Sequence, residues 1–581
     1  MIDIAIRNAR ILDGTGKPAF EGDVEIHEGR IRTVGGIASA AREEIDANGL
    51  HLSPGFIDVH SHDDGAFIRY PDMHFKLAQG VTTCVCGNCG FSAIPATPGE
   101  DPGPASGGII GGGPAEFSDL EGYFGAVLAK RPAINAVMLV GHNTVRAQVM
   151  GMDERAPTAA ERAAMRAKVA QAMEQGACGF STGLIYRPGR WSETDEVIEL
   201  AREAAAHGAL YTTHMRNEGD RLLEAVEETL TIAREANVHA HISHHKAAGT
   251  RNWGKVGQSL EMVDRARAQG QKVTLDIYPY TAGSGRMIEY FRLDRIDRDF
   301  ARTIRIANCP AFREFEGRML PDIAAERGED IADTVRLILA AEKGDRTICI
   351  HFIIDEADIE TNLRYPGMMV GSDGIPTLNG KPHPRLFGTF PRVLAEYVRK
   401  RRIITLEDAI ARLTSISADT FGLKERGRLE PGLRAEAGGQ QHGGTLLAGA
   451  HLGLRLGGGR FAQTQRGVVA QVGDDARRQL APVEVGQHHG NLRRPLVAAT
   501  EQAAEEGGDE DRCHQAHQHG TAVGEVQHQI LAQQRDEGVH AGGPCSVAQL
   551  AAGEGQEHVF EVGAVGVDVP HGQPGGAQRL Q

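Results

Sequence analysis

Polar and apolar residues alternate over the first fifty positions of the chain. In DIAIRNARILDG and GDVEIHEGRIRTVG, Ile and Val alternate with polar residues, and Asp-Gly and Glu-Gly pairs separate the runs. Period-two alternation with such turn residues indicates short strands joined by hairpins. The pattern predicts that residues 1–52 are the N-terminal part of a small, β-sandwich-like domain.

From residue 53 onward, short apolar runs alternate with longer segments whose apolar residues recur at i, i+3 and i+4. Examples are AINAVMLVGHN followed by TAAERAAMRAKVAQAMEQG, and HAHISHHK followed by GQSLEMVDRARAQG. The short runs indicate buried parallel strands, and the long segments indicate helices that cover them. So many consecutive units predict an α/β fold, a (β/α)8 TIM barrel over residues 53–425. Residues 285–345 are more charged and less regular, and we expect an insertion on a barrel loop there.

The composition changes sharply after residue 436. Residues 426–436, RGRLEPGLRAE, are expected to lead back to the β domain. Residues 437–581 contain no Lys, Tyr, Trp or Met and one Ile, but eleven His. A segment so poor in aromatic and β-branched residues favours a disordered, low-complexity tail. The alternative is out-of-frame translation of a GC-rich gene, because the residue bias and the loss of periodicity begin at one point.

Charge and hydropathy exclude several classes of partner. The net charge of −15 over 581 residues, with both signs interspersed, disfavours a nucleic-acid or anionic-membrane surface, which needs a basic face. No apolar run approaches the ~18 residues needed to cross a bilayer, and the N-terminus lacks the features of a secretory signal. We therefore expect a cytoplasmic protein with a small-molecule partner, no nucleic acid and no membrane. The oligomeric state stays open.

Residues with metal-binding side chains follow several of the predicted strands. His60 and His62 lie two apart in GFIDVHSHDD, so both imidazoles leave an extended strand on the same face and can meet one ion. Further strand-end candidates are His214 in YTTHMRNE, His244 and His245 in HISHHK, and Asp373 in GMMVGSDG. Each alone is more often a core histidine or a capping carboxylate. Together they fall at one end of successive barrel strands, where barrel active sites lie.

A cysteine lies at the same end of the predicted barrel. Cys89, in GNCGFS, follows the apolar run GVTTCVC, and a thiolate is a good zinc ligand. Cys84 and Cys86 lie within the apolar run, which favours a core position. A separate metal site in CVCGNC stays open, although a second cysteine pair is lacking. Eight cysteines in so long a chain do not indicate a disulfide framework.

These motifs together resemble the amidohydrolase superfamily and, within it, the N-acyl-D-amino-acid deacylases, known as D-aminoacylases. The resemblance runs from residue 1 to about residue 435. It rests on SPGFIDVHSHDD, GVTTCVCGNCGFS, GACGFSTGLIYRPG, THMRNE, ISHHK, DIYPYTAGS, GSDG and HPRLFGTFPRVL. The HxH pair and the late Asp are common to the whole superfamily, whereas GNCG in place of a bridging lysine carbamate is more specific.

The resemblance implies the zinc-dependent hydrolysis of an N-acyl-D-amino acid to a D-amino acid and a carboxylate. One tight Zn²⁺ would be held by Cys89, His214 and His244. A second, weaker ion among His60, His62 and Asp373 stays open. Asp373 would act as the general base and then the general acid. The substrate would be bound by Arg385, Lys246, Tyr186, Tyr278 and Ser284.

Other readings stay open. A cyclic-amide hydrolase, similar to dihydroorotase or hydantoinase, would use the same barrel, but GNCG disfavours it. A protein disabled by a frame disruption, or a metal-binding protein without turnover, is an alternative of another class. The family's closing strands would follow RGRLEPGLRA, where this chain has AGGQQHGG, so an uncovered edge on the β domain is expected. The preferred D-amino acid and acyl group stay open.

Overall fold

The computed structural model describes residues 1–36, 39–100 and 115–435, together with two further strands. The chain divides into two compact units, of which the first comprises Met1–Pro482 and His558–Gln581 and contains every described residue. The two further strands belong to the region 437–581, and the rest of that predicted tail lies outside the described residues.

The N-terminal residues form a five-stranded sheet. Its strands are β1 (Ile2–Ile11), β2 (Phe20–His27), β3 (Arg30–Gly35), β4 (Ala41–Asp46) and β5 (His51–Leu52). The order is β3-β2-β1-β4, with β5 paired to β1. Residues after the barrel return to this sheet, since Ile31 N donates to Leu433 O at 2.9 Å and Gly432 N donates to Ile31 O at 2.8 Å. Leu429 and Ala435 are buried in its core.

Eight parallel strands form the barrel, which confirms the predicted α/β fold. They are β6 (Phe56–Asp58), β7 (Val81–Cys86), β8 (Asn135–Gly141), β9 (Gly179–Gly183), β10 (Leu210–His214), β11 (Ala240–Ile242), β12 (Val273–Ile277) and β16 (Met369–Val370). Neighbours in the sheet are consecutive in the chain from β6 to β12, and β16 follows β12. The first and last strands meet through a parallel bridge between Ser61 and Gly374, just beyond their ends. We call this junction the seam.

Between β12 and β16 the chain forms an insertion outside the barrel. A less regular segment was expected, whereas the insertion has its own apolar core. Its strands are β13 (Ala282–Arg286), β14 (Ile304–Asn308) and β15 (Ile348–Phe352), antiparallel in the order β13-β15-β14. Its α-helices are α9 (Met287–Tyr290), α10 (Arg298–Ala301), α11 (Leu320–Arg327) and α12 (Ile331–Ala340).

Helices cover the outside of the barrel strands. They are α1 (Ala66–Arg69), α2 (His74–Leu77), α3 (Leu120–Ala129), α4 (His142–Met150), α5 (Ala159–Glu174), α6 (Thr194–Ala206), α7 (Leu222–Ala236), α8 (Lys255–Ala268), α13 (Glu356–Arg364), α14 (Arg385–Arg392), α15 (Leu406–Leu413) and α16 (Ser415–Thr420). A wider helical segment, Val393–Lys400, continues α14, and 3₁₀ turns occur at Gly189–Trp191, Thr250–Asn252, Arg313–Phe315 and Gly344–Arg346.

Local sequence explains where helix α5 begins and which face helix α7 buries. Helix α5 begins with a capping box, in which Thr158 and Glu161 each accept a hydrogen bond from the other's backbone N–H. Helix α7 buries Val226, Leu230 and Ala233, which lie on one face at helical spacing.

The last two strands are β17 (Val469–Val472) and β18 (Ala564–Val567), which pair in parallel. Within the described part of the chain, no helix has both the length and the apolar character needed to cross a membrane.

Candidate active site

Six of the predicted metal-binding side chains meet at the carboxyl end of the barrel. Each follows or ends a different strand, except that β6 supplies two, and all six are buried. They are His60 and His62 after β6, Cys89 after β7, His214 at the end of β10, His244 after β11 and Asp373 after β16. The parallel sheet directs all of these strand ends to one edge, and the side chains converge there for that reason.

The Cys89 thiol lies among three imidazoles. Its Sγ is 3.3 Å from His60 Nε2, 3.4 Å from His244 Nε2 and 3.7 Å from His214 Nδ1. Tetrahedral zinc, with Zn–S and Zn–N bonds of ~2.3 and ~2.05 Å, separates sulfur and nitrogen ligands by about 3.6 Å. Burial raises the pKa of the Cys89 thiol well above its ordinary value, so a thiolate there needs a nearby cation. Donor type, spacing and burial therefore fit a zinc ion.

The backbone is strained where three of these side chains are attached. Cys89, His244 and Asp373 have φ values of +54°, +36° and +50°, in the left-handed region that non-glycine residues seldom adopt. Such strain persists only where the surrounding structure imposes it. Next to Cys89, a Cβ on Gly90 would lie 2.6 Å from Gly183 N, so the GNCG loop is packed directly against the next strands. The loop is thereby fixed with the thiol facing the imidazoles.

Asp373 joins the histidines to a buried arginine. Its Oδ1 is 3.1 Å from His62 Nε2 and 3.6 Å from His60 Nε2, and its Oδ2 is 2.8 Å from Arg385 Nη1. Burial alone would raise the pKa of Asp373, but Arg385 and His62 outweigh it and hold the pKa well below the ordinary value. Asp373 is therefore ionised.

Arg385 is held by a carbonyl of the insertion and by the ring of a tyrosine. Its Nη2 donates to Ser284 O at 3.1 Å, and its guanidinium lies 4.7 Å from the ring centre of Tyr278. Its Nε has no hydrogen-bond partner among the described residues. A buried guanidinium with a free N–H is suited to an anionic group of a ligand.

A small cavity opens beside the cluster and is the place where a ligand would meet it. Tyr186, Ser284, Asp373, Phe91 and Ile375 are among the residues that line it. The ring of Tyr186 is 4.6 Å from that of His214. The cavity combines apolar walls with a few convergent polar groups, as binding sites for small molecules do.

Comparison with known proteins identifies the family. The sequence profile described as "Amidohydrolase family" matches residues 43–436, more than half of the chain. The chain belongs to the amidohydrolase family. This amidohydrolase is 42% identical to N-acyl-D-glutamate deacylase of Alcaligenes xylosoxydans xylosoxydans over 437 residues, which cover 75% of this chain and 86% of that protein. It is 41% identical to D-aminoacylase of the same organism over 435 residues, 75% of this chain and 87% of that one.

A solved structure extends the comparison. N-acyl-D-glutamate deacylase from Bordetella bronchiseptica was crystallised with zinc and a phosphonate inhibitor, a mimic of the reaction's tetrahedral intermediate. It superposes on the amidohydrolase described here with a TM-score of 0.70 and 41% identity, covering 77% of this chain and 93% of that one.

Sequence reasoning missed Glu218, although it lies in the quoted motif THMRNE. Its Oε1 is 2.9 Å from His244 Nδ1, and its Oε2 is 3.4 Å from His214 Nε2. A carboxylate on the outer nitrogen of a ligating imidazole fixes its tautomer and orientation. Lys246, predicted to bind substrate, donates to Glu218 Oε1 at 2.6 Å and lies 2.7 Å from His244 Nδ1, so in this structure it lies behind His244.

Asp276 was also missed. It holds the opposite side of the histidine cluster, which is the group His60, Cys89, His244 and Asp373. Its Oδ2 is 2.8 Å from His241 Nε2 and 3.5 Å from His60 Nδ1, while its Oδ1 accepts from His244 N at 3.0 Å. Its position next to the last residue of the apolar run VTLDI was the available signal. By supporting two candidate ligands at once, Asp276 couples the ends of β6, β11 and β12.

The remaining strand-end histidine and cysteines have other partners. His245 lies with Nδ1 2.6 Å from Asn362 Oδ1 and Nε2 2.7 Å from Ser259 Oγ, on the side away from the cavity, as a satisfied core histidine. Cys86 Sγ is 3.4 Å from Ser61 Oγ. Cys84 lies within a buried group that includes Asp58.

Proposed function

We propose that this amidohydrolase is a zinc-dependent hydrolase that removes the acyl group from N-acyl-D-amino acids. The observation that carries the proposal is the Cys89 thiol with three imidazole nitrogens at 3.3–3.7 Å and the Asp373–Arg385 pair beside it. The relatives named for N-acyl-D-glutamate deacylase and D-aminoacylase activity, and the zinc complex of the solved relative, support it.

In this proposal Cys89, His214 and His244 hold the tight zinc ion. His60, His62 and Asp373 are available for a second, weaker one. Zinc bound there would supply Lewis acidity and lower the pKa of water from 15.7 to about 7.

Asp373 performs the proton transfers. It accepts a proton from the water whose oxygen attacks the amide carbon, and it returns that proton to the nitrogen as the C–N bond breaks. The products are a free amine and a carboxylate, and no covalent bond to the protein forms. Arg385 and His62 hold the pKa of Asp373 below its ordinary value, so the carboxylate is ionised before substrate arrives and is free of a proton at the start of the reaction.

Arg385 binds the carboxylate of the substrate through its planar fork. Tyr186, Tyr278 and Ser284 surround the same region, and burial raises the pKa of both phenols well above the ordinary value, so they remain hydrogen-bond donors. Lys246 would reach a substrate only by leaving Glu218, and its present contacts orient His244.

We also propose that residues 1–52 and 426–436 form the β domain and that residues 53–425 form the catalytic barrel. For residues 437–581 we keep the proposal of an out-of-frame or low-complexity tail. Sequencing the gene around codon 436 tests it, because an intact frame there would remove the frame disruption. Truncation after residue 436 then separates zinc bound by the barrel from zinc bound by the tail histidines.

Hydrolysis of paired enantiomers tests the activity. Metal-free protein and zinc-loaded protein are incubated with N-acetyl-D-methionine, N-acetyl-L-methionine and N-acetyl-D-glutamate, and released amino acid is measured. We expect turnover of a D substrate only with zinc. Dihydroorotate and hydantoin are the controls. Their hydrolysis in place of the linear amides would indicate a cyclic-amide hydrolase instead.

A further inference from the structure

A buried lysine lies at the seam, outside the histidine cluster. Lys76, on α2, has its Nζ 2.5 Å from Asp58 Oδ2, 3.1 Å from Asp63 Oδ2 and 2.8 Å from Ser372 Oγ. The side chains of Lys76, Asp58 and Asp63 are fully buried. Asp58 ends β6 and Ser372 follows β16, so one ammonium contacts both strands that close the barrel.

The partners of Lys76 also bind the backbone that carries the reacting groups. Asp58 Oδ1 accepts from His60 N at 3.2 Å and from Ser372 N at 2.8 Å. Ser372 Oγ accepts from Gly374 N at 3.1 Å. These bonds fix the two turns from which His60 and Asp373 project.

Few backbone hydrogen bonds join the two segments directly at the seam. Asp373 N donates to His60 O at 2.7 Å and His62 N donates to Gly374 O at 3.1 Å, on either side of the bridge between Ser61 and Gly374. The two segments are in close contact, since a Cβ on Gly371 would lie 2.3 Å from His60 Cβ. With so few ladder bonds, side-chain contacts must contribute to the register.

We propose that Lys76 is a positioning residue, whose ammonium holds the ends of β6 and β16 in the register that places Asp373 beside His62. The inference rests on the proposed function, since the distance it protects, 3.1 Å from Asp373 Oδ1 to His62 Nε2, lies within the proposed reaction site. The contacts of the Lys76 ammonium are with Asp58, Asp63 and Ser372, none of which is a proposed metal ligand, so it acts through these partners.

The charge balance explains why a lysine is required. Burial alone would lower the pKa of Lys76, but Asp58 and Asp63 outweigh it and hold the pKa above the ordinary value, so the ammonium stays charged. Without the cation, two carboxylates would remain buried and uncompensated at the seam. The contact from Lys76 Nζ to Ser372 Oγ, which joins the β6 segment to the β16 segment, would be lost with the cation.

Three variants test the role. Lys76→Met keeps the length of the side chain and removes its charge. Ser372→Ala removes the contacts of its hydroxyl with Lys76 Nζ, Gly374 N and His60 O while the ion pairs stay. Arg146→Met is the matched control, because Arg146 is an equally buried cation paired with a carboxylate, Glu196, in a separate network. Each protein is loaded with Co²⁺, and its visible absorption, thermal unfolding and kinetics on N-acetyl-D-methionine are compared with those of the parent.

We expect Lys76→Met to lower kcat roughly 100-fold with KM within about twofold, because a displacement of ~1 Å at reacting groups has an effect of that size. The Co²⁺ absorption bands should shift. Ser372→Ala should change in the same direction by about tenfold, and it decides the question if Lys76→Met does not fold. Arg146→Met should unfold at a lower temperature with kcat and the Co²⁺ spectrum unchanged.

Parental kcat and Co²⁺ spectra in the folded seam variants would overturn the inference, as would the same changes in Arg146→Met. Failure of the proposed function looks different, because the parent protein itself would then lack deacylase turnover. In that case the Co²⁺ spectra, which need no turnover, still show whether Lys76 sets the geometry of the cluster.

Discussion

Among the described residues, the histidine cluster and a second buried group at the seam both bring metal-type side chains together, and the two groups differ in their character as metal sites. The seam cluster is Asp58, Asp63 and Cys84; the histidine cluster is His60, Cys89, His244 and Asp373. In both, the potential ligand atoms lie within 4.8 Å of one another. The Lys76 ammonium lies against the two carboxylates of the seam cluster, 2.5 Å from Asp58 Oδ2 and 3.1 Å from Asp63 Oδ2, and supplies a positive charge there.

Proximity of potential ligands therefore does not define a metal site. Burial lowers the pKa of His214 and His244 and raises that of Cys89, so the three donors of the proposed tight zinc site are neutral without a cation. Arg385 pairs with one oxygen of Asp373 at the edge of this cluster. Neutral nitrogen and sulfur donors that face one point suit Zn²⁺, whereas the seam cluster has an internal cation in that place.

The largest expected effect comes from Cys89→Ser. Loss of the thiolate should remove the tight zinc ion and lower deacylase activity by at least ~10³-fold, since the proposed chemistry depends on zinc. Elemental analysis of purified protein measures the zinc. Cys178→Ser, which changes a cysteine outside both clusters, is the control and should keep it. Full zinc occupancy in Cys89→Ser would show that the thiol is not a ligand.

Asp373→Asn should separate metal binding from proton transfer. Asparagine keeps the shape of the side chain but cannot accept the proton, so kcat should fall by ~10²- to 10⁴-fold while the tight zinc remains. Single-turnover kinetics and elemental analysis measure the two quantities. Near-normal turnover would exclude Asp373 as the general base, and loss of all zinc would make it a required ligand of the tight ion.

The sequence was sufficient to predict the barrel and the strand-end candidates because both depend on local patterns. Period and burial predict strands, and His60, Cys89 and His214 stand where those strands end. The supporting charges could not be found in this way. Lys76 meets Asp58 and Ser372 only because the barrel closes, across sequence separations of 18 and 296 residues.

Glu218→Gln should have an intermediate effect. The amide keeps the side-chain volume but loses the charge that orients the outer nitrogens of His214 and His244, and carboxylate partners of this kind contribute ~10- to 100-fold to metal affinity. Competition with a chromophoric chelator measures zinc affinity. Glu228→Gln, which changes a carboxylate on α7 paired with Arg216, is the matched control. Equal zinc affinity in both variants would remove Glu218 from the support of the metal.

Cys84→Ala should have the smallest effect, and it tests whether the seam cluster binds a metal. Burial raises the pKa of the Cys84 thiol well above its ordinary value, so the group beside Lys76 is a neutral thiol, and its removal leaves both carboxylates paired. Because the substitution removes a small buried apolar group, the free energy of unfolding measured with urea should fall by about 1 kcal/mol. Zinc content and kcat should be unchanged. If zinc fell by one equivalent instead, the seam cluster would hold a metal, and an internal ammonium would no longer distinguish the two clusters.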